Sequence, residues 1–268
     1  MSKFIVLNTK GGATKSTTAV QIIAPYLYLK NGENEKINLV EFDDENADSE
    51  TFLNSNILKS KRIKISGNDL DNELINSVLD NDNLVVDVGG NKTTTYILNS
   101  LRDTNLIDVF DCVVIPLQDG EQDAINAIKV YTKIRELSKD VKVIFVLGRV
   151  DRNMDIEIQF LDFFGDTKGR LNDKIGYIED IKEDDRNIIK VYNSESIKIS
   201  RAFGITVFEL SKQDIDDLKA KMKQFLNDKN TEKSKKAAYR ITQINKAIQF
   251  KDDVLKECFK KINEVLTT

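Results

Sequence analysis

A glycine-containing loop near the start of the chain limits what this sequence can fold into more than any other feature. Phe4–Leu7 is a short continuous apolar run, typical of a buried parallel strand. Lys10–Thr17 (KGGATKST) follows this run, and a helical pattern extends from Ser16 to about Lys30. In such a strand–loop–helix unit, main-chain amides and the helix N-terminus together bind an anion. The segment therefore predicts a phosphate-binding loop.

The side chains of the loop favour a nucleotide over a simple anion. Gly11 and Gly12 permit a tight turn with amides pointing inward. Lys15 is placed to reach the β- and γ-phosphates, and the Ser16 hydroxyl to bind Mg²⁺. A glycine-rich turn with a merely solvated lysine is the plainer alternative. The combination of lysine, paired hydroxyls, flanking strand and flanking helix favours a nucleoside triphosphate with magnesium.

Further apolar runs alternate with helical patterns along the chain. This alternation predicts right-handed βαβ crossovers and an α/β fold with a mostly parallel, doubly wound sheet. Ligands of such sheets bind at the carboxyl ends of the strands. The predicted strands are Ile37–Phe42, Asn83–Val88, Cys112–Leu117, Val141–Leu147 and Ile188–Tyr192, with helices from about Gln122 to Leu137 and near Ser196–Phe203.

The last part of the chain has a different character, which predicts a P-loop domain over residues 1–212 and C-terminal helices over 213–268. Ile215–Leu226 has a helical pattern, and Asp228–Lys236 is polar enough for a linker or a break. From Ile241 to Val265, apolar residues recur mostly at three- and four-residue steps. Residues 229–268 carry 10 Lys and Arg against 5 Asp and Glu, in a chain of net charge −4. We expect an amphipathic extension with a basic outer face.

Composition excludes several classes of function. The chain has no histidine, which rules out Ser-His-Asp triads, Cys-His dyads and histidine metal ligands. Cys112 and Cys258 are far apart in sequence and form no metal or redox motif, so we expect core residues of a reducing cytosol. No signal-peptide pattern and no apolar run of about 18 residues is present. We therefore expect a cytoplasmic protein.

The phosphate loop resembles the deviant Walker A motif of the ParA/MinD family of ATPases. In that family the motif is K-G-G-x-G-K-[ST]-[ST], and seven of its eight positions match Lys10–Thr17, with Thr14 as the departure. If the loop needs a positive φ there, threonine costs about 1–2 kcal/mol. The resemblance implies a slow, partner-stimulated ATPase that works as a homodimer. It also implies that Lys10 reaches across the dimer interface to the partner's nucleotide, and that hydrolysis separates the subunits.

Two acidic segments resemble the family's other site motifs. Residues 41–45 (EFDDE) stand where the family has D-x-D-P-Q, so Asp43 matches the aspartate that positions the attacking water. An ordinary acidic loop is the alternative. Leu84–Asp87 has a Walker B pattern, in which Asp87 would hold Mg²⁺ through water. Gly89 and Gly90 follow and would let the backbone approach the γ-phosphate, although Gly89 departs from the family's D-x-P. A buried strand ending in a solvated aspartate is the alternative there.

A third segment concerns the nucleobase. Val141–Asp151 resembles the strand that usually ends in a base-reading asparagine, but Gly148 occupies that place and Arg149 follows it. Adenine recognition through backbone contacts is what this departure implies.

The residues that we expect at the site form three groups. Nucleotide binding is predicted for Lys10, Gly11, Gly12, Ala13, Thr14, Lys15, Ser16, Thr17, Gly89 and Gly90, metal binding for Ser16, Asp43 and Asp87, and catalysis for Lys10, Lys15 and Asp43.

Function follows from the resemblance and the basic extension together. Members of the family act in plasmid or chromosome partition, bind DNA non-specifically as ATP dimers and release it when a ParB-like activator triggers hydrolysis. The extension offers cations for phosphate contacts without base reading. A solvated helix face is the plainer interpretation, and nucleoid association depends on the DNA hypothesis. The candidate DNA contacts are Lys229, Lys233, Lys235, Lys236, Arg240 and Lys246.

Two alternatives within the same fold stay open. A MinD-like membrane-positioning ATPase would place an amphipathic helix on anionic lipid, and Ile241–Leu266 is amphipathic and basic. Its acids disfavour that surface, so we expect no membrane partner. The other alternative is a conjugation accessory ATPase or a switch that positions a protein cargo. The four acids are Asp252, Asp253, Glu257 and Glu264.

Overall fold

A seven-stranded parallel sheet forms the centre of the computed structural model, which describes residues 2–44, 49–65, 70–169 and 173–268. The strands lie in the order β3-β2-β4-β1-β5-β6-β7, and each pairs in parallel with its neighbours. Their bounds are β1 Ser2–Val6, β2 Ile37–Phe42, β3 Leu58–Ile63, β4 Asn83–Val88, β5 Cys112–Leu117, β6 Lys142–Val150 and β7 Ile188–Tyr192. The predicted α/β class with a parallel, doubly wound sheet is confirmed.

Twelve α-helices of the described residues pack around this sheet. Those of the first half are α1 Lys15–Thr18, α2 Ala24–Lys30, α3 Leu70–Leu79, α4 Lys92–Thr104, α5 Glu121–Leu137, α6 Ile156–Gln159 and α7 Leu161–Phe164. Those of the second half are α8 Glu195–Ala202, α9 Val207–Ser211, α10 Ile215–Asn227, α11 Thr231–Phe250 and α12 Lys256–Thr267. Two π-helical turns, Ala19–Ile23 and Lys251–Leu255, join α1 to α2 and α11 to α12.

Two hydrophobic cores lie on opposite faces of the sheet. Side chains of a strand alternate between the faces, so Phe4 and Val6 of β1 join one core while Ile5 and Leu7 join the other. All four are fully buried. Helices cover both faces, which explains why the strands are apolar runs rather than alternating patterns. The carboxyl ends of the parallel strands consequently share one edge of the sheet.

The C-terminal helices belong to one of these cores. Ile244, Leu255, Cys258 and Ile262 are at most 2% exposed and pack with residues of β1, β5 and β6. The apolar stripe that we expected in this segment is therefore covered by the protein itself. Asp228–Lys236 is not a linker, because α11 begins at Thr231 after the Asn230 side chain caps its N-terminus. Within the described residues, no helix combines the length and apolarity that crossing a bilayer needs.

Other sequence predictions have mixed outcomes. The edge strand β3 was not predicted, because its sequence LKSKRI has only two apolar residues. Lysines on such an edge discourage pairing with other chains.

Both cysteines are buried, as expected, and burial raises the pKa of the Cys258 thiol to about 12. Glu45, part of the predicted acidic segment, lies outside the described residues.

Candidate nucleotide-binding site

The predicted phosphate loop connects β1 to α1 and contains two residues in the left-handed backbone region. Gly12 has φ 79° and Thr14 has φ 62° and ψ 22°. The positive φ anticipated at Thr14 is confirmed, with a strain of about 1–2 kcal/mol for a residue that carries a Cβ. Its hydroxyl donates to the Ala13 carbonyl at 2.6 Å. The backbone thus keeps the turn that glycine would favour and accepts a threonine in it.

Lys15 lies inside the loop. It is 7% exposed, and its Nζ donates to the Lys10 carbonyl oxygen at 3.0 Å. An ammonium held against the concave side of a loop is placed to meet an incoming anion. Its position agrees with the phosphate-binding role that the sequence predicts.

A buried polar network fixes the base of the loop. Asn8 is fully buried; its Nδ2 donates to the Pro116 carbonyl at 2.7 Å, and its Oδ1 accepts from the Lys10 amide at 3.0 Å. The Thr94 hydroxyl lies 3.0 Å from the Asn8 carbonyl oxygen and 2.7 Å from that of Gly89. These contacts tie β1, β5 and the segment after β4 together, and no sequence motif predicts them.

Three acids meet beside the loop at the ends of β2 and β4. Glu41 and Asp87 are opposite each other in the β2–β4 register and are 1% and 3% exposed. Asp43 follows β2 and is partly exposed. Carboxylates at adjacent strand ends of a parallel sheet face the same cleft. The two acids of the predicted metal and catalytic set, Asp43 and Asp87, are therefore brought together.

Gly89 and Gly90 allow these groups to approach closely. A Cβ on Gly89 would lie 2.8 Å from Asp43 Oδ2, and a Cβ on Gly90 would lie 3.2 Å from the Cα of Gly11. Neither position has room for a larger residue without movement of its neighbour. The glycines therefore link the Walker B segment to Asp43 on one side and to the phosphate loop on the other.

A cavity of about 200 Å³ collects most of the predicted site residues. Its lining is Gly11, Gly12, Ala13, Thr14, Lys15, Ser16, Thr17, Glu41, Asp43, Asp87, Gly89, Gly90, Arg149 and Arg201. Every predicted nucleotide, metal and catalytic residue except Lys10 is among them. Glu41, Arg149 and Arg201 were not in the predicted set.

The oxygen donors around this cavity suit magnesium. The Ser16 hydroxyl and the Asp43 and Asp87 carboxylates line it together. Mg²⁺ prefers a few protein oxygens completed by phosphates and water rather than a full protein cage. Among the described residues, no group of three or more Asp, Glu, Cys or His side chains is placed to hold a metal.

Lys10 is directed away from the cavity. Its Nζ lies 3.5 Å from Asp123 Oδ2 of α5, with 39% of the lysine side chain and 10% of the aspartate side chain exposed. The ammonium is therefore accessible from outside and held by one carboxylate.

A second cavity, of about 190 Å³, adjoins the first and shares Thr14, Ser16, Thr17, Arg149 and Arg201 with it. It reaches the ends of β6 and β7, where Tyr192 and Asn193 line it, and Phe52 adds an apolar wall. Each cavity is smaller than the roughly 300–1,000 Å³ typical of a whole ligand site. The polar cavity fits the phosphates of a nucleotide, and the adjoining, partly apolar cavity fits its nucleoside.

Gly148 occupies the place where the ParA/MinD family usually has a base-reading asparagine. It lies against Thr14. A Cβ on Gly148 would lie 2.4 Å from Thr14 Oγ1 and 3.2 Å from Thr14 Cβ. Two of the positions at which the sequence departs from the motifs that it resembles therefore touch. Thr14 fills the space that a side chain at position 148 would need.

The candidate DNA-binding cations lie on the outer side of the C-terminal helices. Arg240 stacks 3.5 Å from the centre of the Phe203 ring, and its guanidinium donates to Gln213. Lys246 forms an ion pair with Glu195, and Lys236 with Glu232, both at 2.6 Å. Lys229, Lys233, Lys235, Lys236 and Lys246 are exposed, whereas Arg240 is partly buried. Arg240 is thus engaged within the protein, and the DNA role of the set stays a prediction.

Solved structures of similar fold include two plasmid partition proteins and McdA. The chain matches a Borrelia burgdorferi protein described as a plasmid partition protein and bound to AMPPNP, with 14% identity, 73% of this chain and 88% of that chain covered, and a TM-score of 0.46. A Borrelia burgdorferi plasmid partition protein in an iodide soak matches with 15% identity, coverages of 76% and 96%, and a TM-score of 0.46. Apo McdA from Cyanthece matches with 15% identity, coverages of 78% and 93%, and a TM-score of 0.43.

No protein-family model matches the chain, and no curated protein does. In fold, the chain is similar to plasmid partition proteins.

Proposed function

We propose that the protein is a ParA-type ATPase that works as an ATP-dependent dimer switch and binds DNA non-specifically in its ATP state. The observation that carries the proposal is the single cavity in which the phosphate loop, Asp43, Asp87 and the Gly89-Gly90 pair meet. Loop amides and Lys15 bind the phosphates of MgATP, and Ser16 and Asp87 hold the metal. Magnesium supplies charge neutralisation of the phosphates when it is bound.

Hydrolysis depends on Asp43, which orients the attacking water. The carboxylate lies close to Gly89, so the segment after β4 and the segment after β2 are neighbours. The Gly89 amide donates to the Phe42 carbonyl at 2.7 Å, which adds a second connection between the two segments. Loss of the γ-phosphate would therefore be sensed by both segments at once.

The dimer switch depends on Lys10. Its ion pair with Asp123 is partly exposed, and such pairs contribute only about 0–1 kcal/mol. A triphosphate on a second subunit offers several negative charges and competes favourably with one carboxylate. Lys10 then leaves Asp123 and stabilises the partner's nucleotide, which couples ATP binding to dimer formation.

Light scattering with ATP, ADP or no nucleotide tests the switch. The wild-type protein should dimerise with MgATP and not with ADP. Lys10→Ala should weaken the ATP dimer, because the bridging charge is lost, and Asp43→Ala should trap it, because ATP is bound but not hydrolysed. A wild-type mass that is the same in all three conditions would refute the switch.

The DNA part of the proposal rests on the exposed lysines around the start of α11. The polar contacts of non-specific DNA binding go to phosphates and weaken steeply with salt. Gel shifts with random DNA should show binding only with ATP, and each phosphate contact removed should lower the log–log salt slope by about 0.9. A Lys233→Gln/Lys235→Gln/Lys236→Gln variant should bind more weakly, whereas Lys129→Gln on α5 serves as control. Equal binding by both variants would contradict the assigned surface.

Turnover is proposed to be slow until an activator binds. The ATP dimer stays on DNA until a ParB-like protein triggers hydrolysis. The apolar stripe of α11 and α12 packs on the sheet, so it is not offered to lipid, which favours DNA over a membrane as the surface. Sedimentation with anionic vesicles should accordingly leave the protein in the supernatant.

A further inference from the structure

The end of β6 contains an irregularity next to both cavities. The β6–β7 register shifts between Gly148 and Val150, so Arg149 is an extra residue without a partner in β7. Such bulges are rare in parallel pairs and are enriched beside active sites, where they redirect a side chain. Arg149 is the residue that this bulge redirects.

The backbone of Arg149 is strained. Its φ is 56°, in the left-handed region where bulges of this kind usually have glycine. Surrounding contacts hold the conformation: Gln159 Nε2 donates to the Arg149 carbonyl at 3.2 Å, and Gln159 Oε1 accepts from the Asp151 amide at 2.9 Å. Strained residues of this type persist where the structure fixes them and are concentrated at functional sites.

The Arg149 side chain is tethered to the phosphate loop. Its Nη1 donates to Gln118 Oε1 at 3.3 Å, and Gln118 Nε2 donates in turn to the Gly12 carbonyl. The contact between Gly148 and Thr14 holds the bulge against the same loop. The Arg149 side chain is exposed, and its guanidinium is held beside the loop by Gln118.

Its place in the site indicates which part of a nucleotide it would meet. Arg149 lines both cavities, whereas Asp43 and Gly89 line only the phosphate cavity. The hydrolytic end of the phosphate chain lies beside Asp43, so the boundary of the two cavities corresponds to the phosphate attached to the nucleoside. A planar guanidinium with several donors suits a phosphate there.

We propose that Arg149 is a nucleotide-binding residue supplied by the same chain, which binds the phosphate next to the nucleoside. This inference rests on the proposed function of the site. Unlike Lys10, Arg149 needs no partner subunit, and it acts on ATP and ADP alike. It would keep the nucleotide bound in the monomer before and after the dimer forms.

Nucleotide affinity of monomeric protein tests the proposal, measured by calorimetry with MgATP and with ADP at low ionic strength. The variants are Arg149→Gln, which removes the charge, and Arg149→Gly, which also removes the strain. Arg152→Gln is the matched control, because Arg152 stacks 4.4 Å from the centre of the Tyr192 ring and lines neither cavity. Both Arg149 variants should raise the Kd for ATP and for ADP by the same factor of about ten or more.

Two further readouts separate a binding role from a structural one. Arg149→Gly should raise the melting temperature while it weakens binding, because glycine accepts the positive φ. Added salt should shrink the affinity gap between wild type and Arg149→Gln. An unchanged Kd, a loss confined to ATP, or an equal loss in Arg152→Gln would overturn the assignment. A wild-type protein that binds no nucleotide would instead overturn the proposed function.

Discussion

The loop after β1 and the end of β6 both hold a non-glycine residue in the left-handed backbone region, yet they differ in how they can be recognised from the sequence. Thr14, with φ 62°, lies inside a motif with a fixed spacing of glycines, lysine and hydroxyls. Arg149, with φ 56°, lies in no motif and gains its position from a bulge and from contact with the first loop. The spacing of motif residues in the sequence therefore locates the phosphate-binding part of the site, whereas contacts between distant segments shape the rest of it.

The largest effect is expected in the β1 loop. Lys15→Ala should weaken MgATP binding roughly 100-fold, because charge-assisted contacts to phosphate contribute about 1.5–3 kcal/mol each. Equilibrium binding of a fluorescent ATP analogue measures the loss. Lys129→Ala, an exposed lysine of α5, should leave the affinity unchanged. Retained binding by Lys15→Ala would remove the phosphate role of the β1 loop.

The second effect is on stability and concerns the contact between the phosphate loop and the end of β6. Gly148→Ala should lower the free energy of unfolding by about 1–3 kcal/mol, because its Cβ would lie 2.4 Å from Thr14 Oγ1. Thermal and urea unfolding measure the change. The double variant Thr14→Gly/Gly148→Ala should recover most of the loss, since the clashing side chain is gone. Additive effects of the two substitutions would show that positions 14 and 148 are not coupled.

The third effect is smaller and of opposite sign. Thr14→Gly should stabilise the protein by about 1 kcal/mol, which corresponds to a rise in Tm of about 2–4 °C. The reason is relief of the positive φ that a Cβ makes costly. Thr242→Gly is the control: Thr242 is exposed within α11, and glycine there should destabilise by about 0.3 kcal/mol, because threonine also has a low helix propensity. A lower Tm for Thr14→Gly would mean that the hydroxyl contact outweighs the strain.

The smallest effect is on the stability of the ATP dimer and concerns Lys10, the first residue of the phosphate loop. Asp123→Asn should strengthen the ATP dimer up to about fivefold, since a partly exposed ion pair contributes about 0–1 kcal/mol. Sedimentation equilibrium with a slowly hydrolysed ATP analogue measures the dimer constant. Asp119→Asn, in the loop between β5 and α5, is the control. A weaker dimer in Asp123→Asn alone would show that Asp123 helps Lys10 instead of restraining it.

Much of the fold could be predicted because its strands are buried on both faces. Continuous apolar runs gave β1, β2, β4, β5, β6 and β7, with ends within a few residues of those observed. The edge strand β3 escaped detection because an edge needs only one covered face and carries lysines and arginine. The start of α11 was not predicted, because its first turns are exposed and polar and show no apolar periodicity.

The candidate site divides in the same way. Residues within contiguous motifs, such as Lys15 and Asp87, were predicted because their role depends on local spacing. Gln118 and Asn8 were not, because each contacts a segment more than 100 residues away in sequence. Arg149 was not, because its position depends on a bulge in β6 and on its contact with Gln118, which no local spacing marks. The departures at Thr14 and Gly148 were each visible in the sequence, but only the folded chain shows that one makes room for the other.

Titration calorimetry of the full chain with MgATP tests the central claim most directly. The account predicts saturable binding of one nucleotide per chain, which Lys15→Ala removes and Lys129→Ala preserves. Absence of any binding of ATP by the folded wild-type protein at millimolar concentration would contradict it, and the carboxyl edge of the sheet would lose its assigned ligand.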